Sequence, residues 1–510
     1  MLSAVDLAKA AQFYERYPGA ASGPLPSSYR RREPERSILY EAVRNHWNTL
    51  LAEVAQRTDG GSLPDFVVAE FERYLSCGIL ANGFARVHCD ACGKDLLVAF
   101  SCRGRGFCPS CTTRRMQGTA IHLVDRVIPR VPVRQWVLSL PRWARFLLAR
   151  NPTLITRTLD LCLREIFNSH RRRARRAGAR ASRPGSYFVR SAIWLRDLNV
   201  HFHSCIPDGV FVREHGQVRF EPLDAPSDDE VKAILQKIVV RVRKLLRPRL
   251  DATRDDARTP DALADAQAHS VATLFGKPAD AAITKKHAAY LEGFSLHAGV
   301  HLHANDREGL ARLCGYGARP ALSQDRLSEL PDGRLAIRMK RPLADGRQEL
   351  LLEPVELLRR LATLVPPPRA HLVRFHGIFG PASKWRSEIV PAAPVESPHQ
   401  HRRSAPTPAA PAEPGETAPL AEPWKPRRPD AKIPWAQLLQ RVFREDVLAC
   451  PCGGRRRVIA FITERTVAKA ILEHLGLPTT GPPIAPARST APPDRAPWQD
   501  DVPTLQQALR

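Results

Sequence analysis

Apolar and polar positions alternate with period two over residues 198–206: Leu198, Val200, Phe202 and Ile206 share one face, and Asn199, His201, His203 and Cys205 the other. Successive strand side chains point to opposite sides, so the segment predicts a strand with an apolar face for a core and a polar face carrying two imidazoles. Pro207-Asp208-Gly209 then leads into Val210-Phe211-Val212, which predicts a hairpin. A second alternating stretch, Phe294 to Leu302, sets Phe294, Leu296, Ala298, Val300 and Leu302 on one face and Ser295, His297, His301 and His303 on the other. Residues 133–140 read as a further strand ended by Pro141, and 334–341 with 347–352 as a hairpin about Asp345-Gly346. Helical periodicity is carried by Ile38, Leu39, Val43, Trp47, Leu50, Leu51 and Val54, and it recurs over 141–168, 307–315 and 356–364. Ser227 with Glu230 forms a capping box that opens a helix to about Leu246. Pro366-Pro367-Pro368 stops the helix before it.

Composition narrows the partner. Of 510 residues, 77 are Lys or Arg and 52 Asp or Glu, a net charge of +25 whose natural complement is a polyanion, nucleic acid first. Six arginines crowd residues 170–180, a candidate phosphate grip. No apolar run approaches the roughly 20 residues of a spanning helix, and the N-terminus lacks a secretory pattern, so a cytoplasmic protein is expected.

Eleven cysteines in such a chain do not resemble a disulfide scaffold, and their clustering points to metal in a reducing compartment. Cys89-x-x-Cys92, fifteen residues and Cys108-x-x-Cys111 form two knuckles, whose four thiolates suit one closed tetrahedral zinc site. Cys77, Cys102 and His88 are candidate substitutes in that set, and Arg86, Lys94, Arg103, Arg105, Arg114 and Arg115 form a basic fringe. Cys450-Pro451-Cys452-Gly453 is half a knuckle with one residue missing, and without a second pair nearby it is not expected to hold a metal.

An α+β organisation follows, with these expected units: a helical N-terminal region (1–75), a zinc-binding domain (76–116) and a domain with a central antiparallel sheet flanked by helices (117–389). A disordered Pro-rich linker (390–432), a small C-terminal segment (433–478) and a disordered tail (479–510) complete it.

Two His-x-His pairs compete for a catalytic metal, His201/His203 and His301/His303, and alternation alone does not separate them. If the two strands share a sheet, His297 is a candidate third ligand. A metal held by two histidines with open positions, in a basic protein, suggests phosphodiester chemistry. A tyrosine could serve as nucleophile, and only Tyr290 and Tyr316 lie C-terminal to His203.

The order of these features resembles the IS91-like rolling-circle transposases. The resemblance rests on SCRGRGFCPSC (101–111), the His201-Phe202-His203 strand, FSLHAGV (294–300), DREGLARLCGYGARP (306–320), VRFHGIFGPASKWR (373–386) and the CPCG segment near 450. It implies an HUH-type endonuclease domain, in which His201 and His203 bind catalytic Mg2+ or Mn2+ and Tyr316 forms a 5′-phosphotyrosine with a nicked single DNA strand. The two-tyrosine branch carries a tyrosine four residues earlier; Arg312 stands there, so the chain resembles the single-tyrosine branch. His301 and His303 fall where the family does not generally carry such a pair, and CPCG is one residue short of the usual CPxCG. Structural Zn2+, single-stranded DNA at element ends and target, and a nucleoid-associated location in the cytoplasm are implied with it. Arg103, Arg105, Arg114, Arg115, Arg171, Arg172, Arg173 and Arg319 are the expected DNA contacts. A non-catalytic zinc-dependent DNA-binding regulator, and a replication initiator or relaxase with the same chemistry, are the competing classes.

Overall fold

The computed structural model describes residues 31–179, 182–183, 185–190, 201–252, 286–320, 322–339, 346–391, 436, 438, 440 and 446–488. The expected linker, apart from residues 390 and 391, and the tail beyond 488 lie outside the described residues. The chain runs α1 (Ile38–Arg57), α2 (Asp65–Ser76), β1 (Phe84–Cys89), β2 (Asp95–Ala99), α3 (Pro109–Arg126), β3 (Val133–Ser139), α4 (Arg142–Arg150) and α5 (Pro152–Arg176). There follow β4 (Ser182–Arg183), β5 (Gly185–Arg190), β6 (His201–Pro207), β7 (Gly209–Glu214), β8 (Gln217–Pro222), α6 (Asp228–Ala252), β9 (Ala288–Leu291), β10 (Phe294–Leu302) and α7 (Arg307–Gly317). The remainder is β11 (Leu327–Glu329), β12 (Leu335–Arg338), β13 (Glu349–Leu352), α8 (Pro354–Leu364), β14 (Val373–Gly377), the single turn α9 (Arg386–Ile389), β15 (Arg456–Ile462) and α10 (Arg465–His474).

The alternation of β6 places it at the heart of a six-stranded antiparallel sheet ordered β14-β5-β6-β3-β10-β9. Phe202 and Ile206, with Trp136, Leu138, Phe294, Leu296 and Ala298, bury one face under α4, α5 and α6. In α6 the buried Val231, Ile234, Leu235, Ile238, Val239 and Val242 follow helical spacing, which makes the stripe that covers the sheet. The capping box is formed: Ser227 N donates to Glu230 Oε2 and Glu230 N to Ser227 Oγ, each at 3.1 Å. Val133 and Cys205 turn to the opposite face, where α3 packs with Ala120, Leu123 and Val124 and α7 with Leu310 and Cys314. The sheet is therefore sandwiched between two helical layers, the α+β arrangement that the patterning predicts.

Two predicted features resolve differently. The strand β10 does not keep one face throughout. His297 pairs with Val137 and Val300 with Gln135, so three residues step against two and a bulge intervenes. Phe294, Leu296 and Ala298 stay in the α4–α6 core, while Leu302 crosses to the α3–α7 core beside Val133. His301 consequently lies on the face opposite to His297, with its Nε2 3.5 Å from Asp208 Oδ2. The buried Arg134 closes this corner: Nη2 lies 2.6 Å from Asp208 Oδ2, Nε bonds both carboxylate oxygens at 2.9 Å, and Nη1 donates to Ala298 O in the bulge at 2.8 Å.

The expected hairpin at Asp208-Gly209 does not form either. The strand after it leaves the sheet and joins a separate one, β4-β7-β8, whose turn is His215-Gly216, both at positive φ. Gly209 is needed for closeness instead, since a Cβ there would stand 2.3 Å from Glu221 O and 2.4 Å from the Phe220 ring.

A second core joins the N-terminal helices to residues far along the chain. Leu39, Val43, Trp47 and Leu50 of α1 and Val67, Phe71 and Tyr74 of α2 pack with Phe107, with β11–β13 through Leu327, Leu335, Ile337, Leu350 and Leu352, and with α8 through Leu357, Leu358 and Leu361. Trp47 stacks on Phe71 at 4.3 Å between ring centroids, and Phe71 lies 4.5 Å from Phe107. Residues 483–488 run back to α1, where Ala485 N donates to Arg44 O at 3.1 Å and Asn48 Nδ2 to Ala485 O at 2.8 Å, so this part of the expected loose tail is docked. Among the described residues no helix is long and apolar enough to cross a membrane.

Replacing Arg134 by Met strands a buried carboxylate. The variant should lose about 3–5 kcal/mol of stability, read as a lowered urea midpoint. The double variant Arg134→Met/Asp208→Leu should recover most of that loss. An unchanged midpoint for the single variant would show that the pair is not what holds this corner.

Candidate functional site

His201 and His203 leave β6 on the α3–α7 face, in register with Ser139 and Val137 of β3. Their ring centroids are 4.9 Å apart, so two imidazoles are presented side by side, a pair suited to one cation. Burial, then the neighbouring His201 and Arg319, push the His203 pKa down to about 3. His203 is therefore neutral at physiological pH, the form that has a lone pair to give a metal. Gln135, which sequence reasoning missed, lies with Nε2 3.0 Å from His203 Nδ1. Rotating the amide by 180° from this placement would let its oxygen accept from Nδ1–H, a tautomer that leaves the Nε2 lone pair for a cation. Its signal in the sequence is faint: a second polar side chain, next to Arg134, in a strand that is mostly apolar.

Tyr316 comes to this pair from the last turn of α7. Asp306 caps the helix, with Oδ1 accepting from Gly309 N at 2.7 Å. The Arg307 guanidinium donates to the carbonyls of Val124, Ile128 (2.9 Å) and Pro129 (3.2 Å), satisfying the free C-terminal end of α3. Leu310 and Cys314 then bury against α3, and Tyr316 meets the sheet face that carries His203. Its ring lies 6.0 Å from that of His203 and is about half exposed, open to a substrate. The Arg319 guanidinium stands 4.3 Å over the tyrosine ring, placing a cation beside the phenol. Arg312, one turn earlier, approaches Glu308 at 3.8 Å in an i,i+4 pair.

His297 shares the row of His203, but Val137 lies between them, two strand spacings or about 10 Å of backbone. Its ring packs on Tyr290 at 5.2 Å between centroids. The rival His301 is on the other face with Asp208. His303 Nδ1 accepts from Asn305 N at 3.3 Å in the turn before α7.

The cysteines divide differently from their spacing. The quartet Cys89, Cys92, Cys108 and Cys111 is not gathered. Among the described residues two groups form instead, Cys77 with Cys102, Cys108 and Cys111, and Cys89 with Cys92, Cys450 and Cys452. The reason is geometric. Each CxxC knuckle makes one tight turn, and β1 and β2 carry the two turns to different places, so each finds another pair. In the first group Cys77–Cys111, Cys102–Cys111 and Cys77–Cys108 sulfurs are 3.8, 3.4 and 3.6 Å apart. Four thiolates at about 2.3 Å from one zinc lie about 3.8 Å from each other, so this quartet fits the ion. Cys102 N and Gly104 N donate to Cys77 and Cys102 sulfurs at 3.3 Å, and the buried Glu70 accepts from Gly106 N at 2.7 Å, which shapes the loop. His88 belongs to neither thiol group, and its Nδ1 lies 2.7 Å from Asp95 Oδ1.

Several expected DNA contacts are used within the protein. Arg115 Nη2 donates to Arg103 O and Gly104 O at 3.2 and 3.1 Å, Arg105 to Ala370 O, and Arg173 to Asp224 O; Arg171 Nη1 donates to Asn168 Oδ1 at 3.1 Å. Arg103, Arg114 and Arg172 are exposed.

Residues 42–140 match the family model described as "Transposase zinc-binding domain", and residues 194–386 match one described as "Putative transposase". No curated protein and no solved structure matches the chain. A transposase zinc-binding domain followed by a transposase domain makes the chain a DNA-processing transposase. The chain belongs to the IS91-like transposases. It accordingly binds DNA, and its zinc-binding domain and thiol groups support structural zinc.

Gln135→Leu should weaken Mn2+ binding by about 10–100-fold while leaving the unfolding midpoint near that of the parent chain. Calorimetric titration with Mn2+ measures it, and unaltered affinity would remove Gln135 from the site.

Proposed function

We propose that this transposase cuts and rejoins single-stranded DNA at element ends by rolling-circle chemistry, with Tyr316 as its one nucleophile. The observation that carries this reading is the 6.0 Å approach of the Tyr316 ring to His203, on the face where His201 and His203 stand together. Tyr316 Oη attacks the scissile phosphorus, a tyrosine–phosphorus bond forms, and the bond to the 3′ oxygen breaks. The phenol proton passes to solvent and the departing 3′ oxygen takes one up. A 5′-phosphotyrosine and a free 3′-hydroxyl result, and reversal by a 3′-hydroxyl rejoins the strand without ATP. His201 and His203 would hold Mg2+ or Mn2+, which when bound supplies charge stabilisation to the phosphate oxygens. Arg319, beside the ring, offers a second positive charge to the same phosphate.

In this reading residues 117–389 carry the strand chemistry. Cys77, Cys102, Cys108 and Cys111 hold a structural zinc that shapes the DNA-facing module, and Arg103, Arg114 and Arg172 meet phosphates. The protein acts on the nucleoid.

Incubated with single-stranded end DNA and Mn2+, the chain should yield a covalent protein–DNA adduct that resists boiling in detergent. Tyr316→Phe should abolish the adduct and keep DNA binding within about twofold, since the phenol oxygen is a small part of a contact dominated by phosphates. An adduct that survives this substitution rejects the proposal. Binding of end DNA should also weaken steeply with added salt, about tenfold or more between 50 and 200 mM, as phosphate neutralisation demands.

A further inference from the structure

The second thiol group is assembled from opposite ends of the chain. Cys89 and Cys92 come from the knuckle at the end of β1, and Cys450 and Cys452 from a turn more than 350 residues later. Cys450 and Cys452 lie outside both stretches matched by the transposase family models. We propose that these four thiolates bind a second structural zinc, which clasps the C-terminal segment to the N-terminal zinc-binding module.

Sulfur spacing supports a metal rather than disulfides. Cys89 and Cys452 sulfurs are 3.6 Å apart, as are those of Cys92 and Cys450. A disulfide needs about 2.0 Å, whereas the edge of a zinc–thiolate tetrahedron is about 3.8 Å.

The two turns mirror each other. In the first, Cys89 N donates to Lys94 O at 3.0 Å and Gly93 N to Cys89 O at 2.8 Å, with Gly93 at φ 69°. In the second, Cys450 N donates to Gly454 O and Gly453 N to Cys450 O, both at 2.9 Å, with Gly453 at φ 87°. The missing residue in Cys450-Pro451-Cys452 therefore does not prevent a knuckle. Gly454 is the point of closest approach. A Cβ there would meet Ala91 Cβ at 2.7 Å, Cys89 Sγ at 3.1 Å and Cys452 Sγ at 3.4 Å, so only glycine lets the turns face each other.

The surrounding chain is built around the same closure. Directly after the second turn, β15 adds to β1 as the third strand of β15-β1-β2, with Cys89 paired to Arg456 and Phe84 to Ile462. Arg457 bonds Asp90 at 2.8 and 3.1 Å beside the quartet. Ala468 and Leu472 of α10 bury against Phe84 at the far end of the strand. This inference concerns the architecture and stands whether or not Tyr316 is the nucleophile.

The test counts metal and maps thiols on the full-length chain. Elemental analysis of protein purified without chelator should give two zinc ions per chain, and Cys450→Ser/Cys452→Ser should give one. Iodoacetamide labelling read by mass spectrometry needs no variant. Cys452 is exposed, so as a free thiol it would be alkylated at once; bound to zinc it should be protected and become reactive only after chelation. One zinc per chain, or a Cys452 labelled equally fast before and after chelation, overturns the proposal. Two ions of another thiophilic metal at the same cysteines would overturn the zinc assignment.

Discussion

The docking of α7 onto α3 is the constraint on which the site depends. Nothing in the local sequence of Tyr316 directs it toward a strand more than one hundred residues earlier. Its position follows from Leu310 and Cys314 burying against Leu123 and Ala120, and from Arg307 satisfying the carbonyls at the end of α3. Helix ends leave unpaired carbonyls, and a guanidinium with five donors can meet several of them at once. The tyrosine is thus aimed by packing and backbone hydrogen bonds, and the phenol is left about half exposed for a substrate. The His pair is fixed just as firmly, because Phe202 and Ile206 anchor the reverse side of the same strand in the core.

Where periodicity was uninterrupted, the sequence was readable. The β6 alternation, the Ser227–Glu230 box and the periodic stripes of α1 and α6 appear in the structure as patterning predicts, because each depends on neighbours within a few residues. The misreadings involve long-range partners. A bulge is invisible to alternation, and one extra residue at Gly299 reverses the side chains that follow, which parts His301 from His297. Asp208-Gly209 has the composition of a turn, but Arg134 claims the carboxylate and Phe220 the space above the glycine. Cysteine spacing shows that a knuckle exists and does not say which other knuckle it meets. Here Cys89-x-x-Cys92 pairs with a turn at the other end of the chain. The resemblance, not the alternation, separated His201/His203 from His301/His303 at the level of sequence; the structure separates them by face.

The same long-range logic governs how the chain is held together. Cys77, Cys108 and Cys111 lie in the core that also contains Trp47, Phe71 and Phe107, so metal binding and apolar burial there are one event. That core extends to β11–β13 and α8, which follow the Tyr316 helix in sequence. A disturbance at the thiols is therefore felt in the core that β11–β13 and α8 share.

The central claim is that Tyr316, set beside His203, becomes covalently joined to DNA. The most direct measurement is to trap the adduct on single-stranded end DNA, digest both components and identify the nucleotide-bearing peptide by mass spectrometry. The account predicts the nucleotide on Tyr316. Finding it on Tyr290, which packs on His297, or on any other residue would contradict it.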